Sequence, residues 1–336
     1  MQLFRPIDYI KIAIANHYGL DKKLWHQRLD WFNTIGINAL NELSVAAKFF
    51  SEASEPMMFM KMLNQYNNAM NNLPLDGLVS LDATASGVQI LGALTACRKT
   101  CQRTNLIDDG IRHDLYGESA EYMNSLGLSV TRDDLKQPVM TVFYGSTEQP
   151  KLLFGEGTPE LKAFYAFLEN ELTGAYEAMS DIANCWNPEA LVHSWVLPDG
   201  HHVHVKVMEQ VQKRIEVKEL GSTFTYTYYE NQASDYGRSL AANVVHSVDG
   251  YIVREVIRKA AARGFRVLTI HDSFWCHPNY ANEMRQFYND VMAEICEMDL
   301  LSDILSQITG EELEVIALSD RKELANDIRN ANYALS

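Results

Sequence analysis

The sequence lacks the features that would place this protein in a membrane or outside the cell. None of its 336 residues belong to an apolar run of the roughly 18 residues that a membrane span requires. The first twenty residues lack the basic segment, apolar run and cleavage site of a signal peptide. The five cysteines are odd in number and widely spaced, which argues against a disulfide framework and for a reducing compartment. These absences predict a cytoplasmic protein that does not associate with membranes.

Basic charge is also scarce. The chain has 29 Lys and Arg against 44 Asp and Glu, a net charge of −15. That balance weighs against an ordinary nucleic-acid-binding surface, which is basic. Net charge is an average, however, and a cleft can be basic or hold metal ions on an acidic body. The 47% hydrophobic content predicts a globular chain with a sizeable core.

The apolar patterning predicts a mixed α/β chain. Helical spacing covers most of 8–72 and the segments 86–100, 106–127, 132–144, 159–183, 235–263 and 281–298. Strand patterns occupy 78–82, a hairpin at 192–207, the segments 213–219 and 222–230, and the region around the turn at 271–272. Since strands and helices do not alternate regularly, the order indicates an α+β arrangement rather than a doubly wound sheet.

Two aspartates end short apolar strands. Asp82 follows "LVSL" and precedes the small-residue turn "ATASG", and Asp272 follows "VLTIH". Two carboxylates at neighbouring strand ends would repel unless a cation lay between them, and Mg²⁺ prefers oxygen ligands of this kind. Alternatively, each aspartate caps a turn or a helix, and for either one alone this is the more common role.

The segment "TRDDLKQPVMTVFYGS" places Arg132, Lys136, Met140 and Tyr144 four residues apart. On a helix these side chains share one face. The two cations could hold a triphosphate, and Tyr144 could stack on a base. Alternatively, the cations form a solvated stripe and Tyr144 packs in the core. Pro138 predicts either a bend in this helix or a helix that starts after the cations.

Three blocks in this order resemble the single-subunit RNA polymerases of bacteriophages (the phage T-seven type) and of mitochondria. "DATASGVQ" is similar to motif A of that family, "RDDLKQPVMTVFYGS" to motif B and "HDSF" to motif C. The segments "DLYG", "VHSWVLPDGHHV" and "NVVHSVDG" and the ending "NDIRNANYALS" also resemble family segments in the same order. The resemblance therefore covers most of the chain from about residue 8.

The resemblance implies a right-hand polymerase fold reduced to palm and fingers, with a small antiparallel palm sheet surrounded by helices. It implies that residues 1–75 lead into the palm, that 76–105 carry motif A of the palm, and that 106–240 form the fingers with a β-hairpin insertion. Residues 241–336 would then complete the palm with motif C and the C-terminal segment.

The resemblance also implies roles for individual residues. Asp82 and Asp272 would bind two Mg²⁺ ions, helped by the backbone carbonyl of Ala83. The nucleotide-binding residues would be Lys136 and Arg132 at the phosphates, Tyr144 at the insertion site, and Tyr116 and His246 at the ribose 2′-hydroxyl. Lys136 would in addition protonate the leaving pyrophosphate.

The same comparison favours RNA over DNA synthesis. Gly87 lies where related DNA polymerases carry a bulky glutamate that excludes the 2′-hydroxyl, and a glycine leaves that space open. Likewise, Ser273 follows the motif C aspartate, where the DNA enzymes usually have glutamate. A DNA polymerase or primase of the same superfamily and a non-catalytic scaffold with the polymerase fold are the alternatives.

Two features depart from the family pattern. Pro138 replaces an expected small polar residue in motif B, and only about 80 residues precede motif A, without a DxxGR motif. The second departure resembles the split RNA polymerase II of phage N-four, whose front part is a separate polypeptide. We therefore expect the catalytic subunit of a split, viral, DNA-directed RNA polymerase. Its partners would be a second polypeptide supplying the N-terminal and thumb part, a DNA template, nascent RNA, NTPs and a single-stranded-DNA-binding recruitment factor.

Two other patterns have an unexceptional interpretation. His202 and His204 share one strand face, but no further Cys or His lies at a spacing that would complete a zinc site, so exposed hairpin histidines are expected. The tyrosines of "TFTYTYYE" alternate as in a strand and could pack in the core or line a nucleic-acid surface; packing is the expectation.

Overall fold

The computed structural model describes residues 1–35, 43–207, 209–230 and 238–336. The helices in these ranges are α1 (Pro6–Ala15), α2 (Trp25–Ile35), α3 (Leu43–Glu52), α4 (Pro56–Met70), α5 (Ser86–Leu94), α6 (Arg98–Arg103), α7 (Leu115–Ser125), α8 (Arg132–Val142), α9 (Glu148–Phe154), α10 (Pro159–Glu171), α11 (Thr173–Asn184), α12 (Arg238–Ala262), α13 (Ala281–Glu297), α14 (Leu300–Thr309) and α15 (Arg321–Arg329). The strands are β1 (Val79–Asp82), β2 (Val192–Val196), β3 (His202–Lys206), β4 (Glu209–Val217), β5 (Ser222–Glu230), β6 (Leu268–Ile270) and β7 (Ser273–Cys276). None of the described helices is long and apolar enough to cross a bilayer.

A three-stranded antiparallel sheet brings the two halves of the chain together. Its order is β1-β7-β6, so the strand that ends at Asp82 pairs with the second strand of the C-terminal hairpin. Side chains alternate across this sheet, and Leu81 and Phe274 point into the core. The prediction of a mixed α/β fold with a small antiparallel sheet among helices is confirmed.

A buried polar network fixes the helices behind this sheet. The Tyr288 hydroxyl, on α13, donates to Gln89 on α5 at 2.6 Å, and the Gln89 amide donates to the Thr104 carbonyl at 2.7 Å. Tyr288 also packs edge-on against Phe274, with 5.4 Å between the ring centroids. Because a buried amide costs free energy when it lacks partners, these contacts define how the helix after Asp82 lies against the sheet.

The N-terminal segment packs against the C-terminal one. Trp25 stacks on Tyr333 at 5.3 Å between centroids. The fully buried Arg28 donates to the carbonyls of Lys23 and Asp21 and to the Asn16 side chain. These bonds hold the loop between α1 and α2 in place, and that loop reaches the candidate site described below.

Several predicted helices are interrupted. The predicted helix 86–100 is broken between α5 and α6, where Ala96 has a positive φ of 48° and the Thr95 carbonyl accepts the Leu318 N–H. The predicted helix 106–127 is wrong before residue 115, because the Asn105 side chain bonds both the N–H and the carbonyl of His113 and closes a loop instead. The predicted helix 159–183 is two helices, with the buried Leu172 between them.

Two hairpins lie apart from the central sheet. The predicted hairpin at 192–207 is present as β2 and β3. The second hairpin pairs β4 with β5 over nine residues of each strand. The expectation that its tyrosines pack in the core is wrong, since Tyr226 and Tyr229 are exposed, as is Phe224.

Candidate active site

Asp82 and Asp272 are neighbours at the ends of paired strands. Asp82 is the last residue of β1, and its partner across the ladder is Ser273. Asp272 lies in the tight turn between β6 and β7, where His271 adopts a left-handed φ of 54°. The Ala83 N–H donates to the Asp272 carbonyl at 3.1 Å, which joins the two strand ends directly. The predicted convergence of two carboxylates from distant parts of the sequence is therefore present.

Burial and the charge of Asp82 both disfavour ionisation of Asp272. Burial raises the pKa of Asp272 above its ordinary value, and the charge of Asp82 adds to this effect. Hydrogen bonds from its own backbone and from Ser86 act in the opposite direction. A third carboxylate lies in the same field, because burial and the charge of Asp272 raise the pKa of Asp249 to about 6. A cation bound between these groups would relieve the repulsion.

Helix α8 carries the two predicted cations. Thr131 caps its first turn, accepting from the Asp134 N–H in a capping box, and the helix continues through the buried Pro138 to Val142. Arg132 and Lys136 therefore lie inside the helix, one turn apart. The alternative of a helix that begins after the cations is wrong. Arg132 is held by Asp114, whose carboxylate accepts from the guanidinium at 2.7 Å.

Tyr144 lies in the turn that follows α8 and is fixed by close neighbours. Its ring stacks on His246 of α12, with centroids 4.8 Å apart. Gly87 of α5 lies close to the hydroxyl end of the ring: a Cβ there would lie 2.9 Å from the Tyr144 hydroxyl oxygen and 3.1 Å from the carbon that bears it. Gly87 therefore leaves space for the tyrosine ring itself, in addition to any space that it leaves for a sugar.

Tyr116 completes the aromatic side of the site. The guanidinium of Arg132 lies over its ring, 5.5 Å from the centroid. Burial, followed by the charges of Asp272 and Tyr144, raises the pKa of Tyr116 to about 12, so its hydroxyl stays protonated at neutral pH. It can donate a hydrogen bond to a substrate hydroxyl.

These residues surround one cavity of about 320 Å³. Eight of the nine residues singled out by sequence line it: Asp82, Ala83, Gly87, Tyr116, Arg132, Lys136, Tyr144 and Asp272. The ninth, His246, is not part of the lining and reaches the site through its stack on Tyr144. The lining therefore combines the two strand-end carboxylates with the two cations of α8, which suits a molecule with both a metal-bound and a freely anionic part.

Sequence reasoning missed further polar residues of the lining: Asp21, Lys22, Ser86, Arg112, His113, Asp114 and Ser336. Lys22 comes from the loop held by Arg28, and no local pattern marks it as a site residue. Ser336 is buried beside Asp82, and its N–H donates to the Asp82 carbonyl at 3.0 Å. Arg112 and Asp114 lie in the stretch expected to be helical, a prediction that would have given their side chains other directions.

The carboxylates at the strand ends suit a metal ion whose remaining ligands come from substrate and water. Within the described ranges, no group of three or more His, Cys, Asp or Glu side chains is placed to hold a metal ion. Asp82 and Asp272 provide two carboxylates, which fits Mg²⁺, an ion usually bound by one or two carboxylates plus water and phosphates. His202 and His204 stack on each other at 6.3 Å and are exposed, as expected of hairpin histidines.

Comparison with known proteins agrees with this geometry. A family model described as DNA-dependent RNA polymerase matches residues 5–151 and 176–334. The T7 RNA polymerase of Escherichia phage T7 is 23% identical over 90% of this chain and 45% of its own length. The mitochondrial DNA-directed RNA polymerase of Homo sapiens is 21% identical over 94% of this chain and 30% of its own. A probable DNA-directed RNA polymerase of Neurospora crassa is 29% identical over 42% of this chain.

The chain therefore spans less than half the length of these relatives. The family match covers both strand ends with their aspartates, helix α8, Tyr144 and the whole of α12. It leaves out only 152–175 between its two segments. Since the match extends over most of the sequence, the chain belongs to the DNA-dependent RNA polymerase family of the phage and mitochondrial type.

Proposed function

We propose that this chain is the catalytic part of a DNA-directed RNA polymerase. The reaction is attack of an RNA 3′-hydroxyl on the α-phosphate of an NTP, with release of pyrophosphate. The observation that carries the proposal is the single cavity that Asp82 and Asp272 line together with Arg132 and Lys136. A triphosphate has the charge to meet both the cations and a metal ion held by the aspartates.

The cations of α8 would bind and orient the nucleotide. Arg132, positioned by Asp114, presents a planar fork that suits phosphate oxygens. Lys136 is exposed at the cavity and has no ion-pair partner among the described residues, so its ammonium group is free to meet the β- and γ-phosphates. The same group can donate a proton to the leaving pyrophosphate.

The aromatic side would bind the nucleoside. The Tyr144 ring stacks on His246 through one face, and its other face would stack on a base. The Tyr116 hydroxyl, protonated at neutral pH, and the His246 ring are the groups that would recognise the ribose 2′-hydroxyl. A larger side chain at position 87 would crowd the Tyr144 hydroxyl and fill the space beside it, so Gly87 supports ribose rather than deoxyribose selection.

Asp82 and Asp272 would hold the metal, with the Ala83 carbonyl as an additional ligand. Magnesium bound there in two sites would activate the attacking hydroxyl and neutralise charge on the leaving group. The raised pKa of Asp272 supports this assignment, because the unrelieved pair repels in the absence of a cation.

We propose that a second polypeptide supplies the N-terminal and thumb part in a split enzyme. The net charge of −15 supports a partner that adds DNA-binding surface. In this assignment, residues 76–105 and 241–336 form the palm, 106–240 the fingers, and 1–75 lead into the palm. A single-stranded-DNA-binding factor would recruit the complex in the cytoplasm of an infected bacterial cell.

The test is extension of an RNA primer on a DNA template with Mg²⁺ and NTPs, for the chain alone and with any co-purifying polypeptide. We expect Asp82→Ala and Asp272→Ala to lower the rate by at least about a hundredfold, because each removes a metal ligand. Asp30→Asn, which changes an exposed carboxylate outside the cavity, is the matched control and should leave the rate unchanged. Substantial synthesis by either cavity variant would refute the metal assignment.

The substrates decide between this proposal and its alternatives. Extension with dNTPs in preference to rNTPs would identify a DNA polymerase, and extension without a primer at short product length a primase. A folded protein that binds neither Mg²⁺ nor NTP, with or without a partner, would be a scaffold.

A further inference from the structure

Arg112 is a cation in the active-site cavity that the motif comparison did not assign. It lies in the loop that the hydrogen bonds between Asn105 and His113 close, and it lines the cavity together with Asp82, Arg132 and Lys136. Its side chain is half-buried, so the guanidinium has left part of its water shell.

The side-chain hydrogen bonds of Arg112 go to a hydroxyl and not to an acidic side chain. Its Nε and Nη2 atoms donate to the Ser336 hydroxyl at 3.1 Å and 2.9 Å. No Asp or Glu side chain of the described residues forms an ion pair with it. By contrast, Lys22 pairs with Asp21 at 2.6 Å and Arg132 with Asp114 at 2.7 Å.

The environment acts on the charge of Arg112 in both directions. Burial lowers the pKa of Arg112, the charges of Asp21 and Asp114 raise it without forming an ion pair, and the charge of Arg132 lowers it. A half-buried guanidinium whose hydrogen-bond partner is a neutral hydroxyl has a desolvation free energy that a bound anion would offset. The two bonds to Ser336 fix the direction of the fork and leave the Nη1 atom without a hydrogen-bond partner in the described structure.

We propose that Arg112 binds the polyphosphate of the incoming nucleotide and the pyrophosphate that leaves. This inference rests on the proposed polymerase function and adds a phosphate-binding residue to it. Arg112 belongs with the cations proposed to bind phosphate, since it lines the cavity together with Arg132 and Lys136 and is close enough to Arg132 for their charges to interact. Both NTP and pyrophosphate therefore need it.

The experiment compares Arg112→Gln with wild type in primer extension by the full chain and its co-purifying partner. We expect the KM for each NTP and the inhibition constant for added pyrophosphate to rise together by about ten- to a hundredfold, the value of a charge-assisted hydrogen bond. The kcat should change much less. Arg112→Lys keeps the charge but not the planar guanidinium. Its KM and its inhibition constant for pyrophosphate should lie between those of wild type and Arg112→Gln.

Two controls separate binding from a structural role. Ser336→Ala removes the hydroxyl that Arg112 bonds and leaves the cation; it should change the KM by only a few-fold. Arg98→Gln alters an arginine paired with Glu323 and Asp327 and should change nothing in the assay. If Ser336→Ala reproduces the effect of Arg112→Gln, or if Arg112→Gln lowers kcat with unchanged KM and pyrophosphate inhibition, Arg112 serves to hold the chain end and the inference is wrong.

The outcome is independent of the proposed function. Wild type that extends RNA and Asp272→Ala that does not would uphold the function whatever Arg112→Gln does. If wild type makes no RNA, equilibrium binding of ATP and pyrophosphate to wild type and Arg112→Gln still decides the role of Arg112. Equal binding constants would overturn it.

Discussion

Replacing Gly87 by alanine is the sharpest structural test of the nucleotide site. The added Cβ would lie 2.9 Å from the Tyr144 hydroxyl oxygen, so the ring must move by about half an ångström to reach an ordinary contact. The stack of the ring on His246 limits how the ring can move. A misplacement of this order at a reacting centre lowers rates by about ten- to a hundredfold.

The effect on stability should be small, which separates it from a folding defect. Crowding in a packed site costs about 1–3 kcal/mol, whereas Gly→Ala inside a helix gains about 1 kcal/mol. Gly250→Ala is the control for that gain, because its Cβ would meet only the end of the Arg254 side chain at 3.2 Å. We expect kcat/KM with rNTPs to fall by about ten- to a hundredfold while the melting temperature of Gly87→Ala stays near that of wild type.

A double-mutant cycle with Tyr144→Phe tests the contact itself. Phenylalanine removes the hydroxyl that the new Cβ would strike, so Gly87→Ala should cost less in that background, by about 1 kcal/mol in transition-state free energy. The assay is steady-state extension by the two single variants and the double variant. An equal cost in both backgrounds would refute the claim that Gly87 makes room for Tyr144.

Three further predictions concern sugar choice, pH and the second hairpin. Tyr144→Phe should relax discrimination against dNTPs, because it removes the hydroxyl that lies beside Gly87 and would help to sense the ribose; an unchanged rNTP to dNTP ratio would contradict this role. His113, buried between Glu118 and Asp109, has a raised pKa through its hydrogen bonds to these carboxylates; its contribution to the free energy of unfolding should be full below about pH 6.5 and be lost as pH rises through its folded-state pKa. A constant difference between wild type and His113→Gln from pH 6 to 9 would show that this linkage is absent. Phe224→Ser in the exposed hairpin should leave the melting temperature unchanged within about a degree, and a clear drop would mean that its ring is covered in solution.

Local pattern was sufficient where one element determines its own structure. The strand at 79–82, the hairpin with its turn at Asp272 and the helix from Arg132 follow from alternation, turn residues and a capping box. Helix α8 continues through Pro138 because its apolar face packs in the core and its first turn is capped. Helix propensity, read residue by residue, does not include the free energy of that packing. The family motifs then paired Asp82 with Asp272, which no local pattern could do.

Tertiary contacts decided the remainder. The break after α5 exists because the Thr95 carbonyl bonds Leu318, more than two hundred residues away, and the loop before α7 exists because Asn105 bonds His113 rather than the next helical turn. Propensity within a window cannot register such partners.

The composition of the cavity shows the same division. The spacing of Arg132 and Lys136 on one helix face was readable from the sequence, because both residues obey a single local period. Only folding adds Lys22, Arg112 and Ser336 to this cavity. The buried Arg28 holds the loop that carries Lys22, and the hydrogen bonds between Asn105 and His113 close the loop that carries Arg112. Ser336 bonds the backbone of Asp82. The sequence by itself thus determined the chemistry of the two aspartates and the α8 face, and the tertiary structure alone decided which other charges meet them.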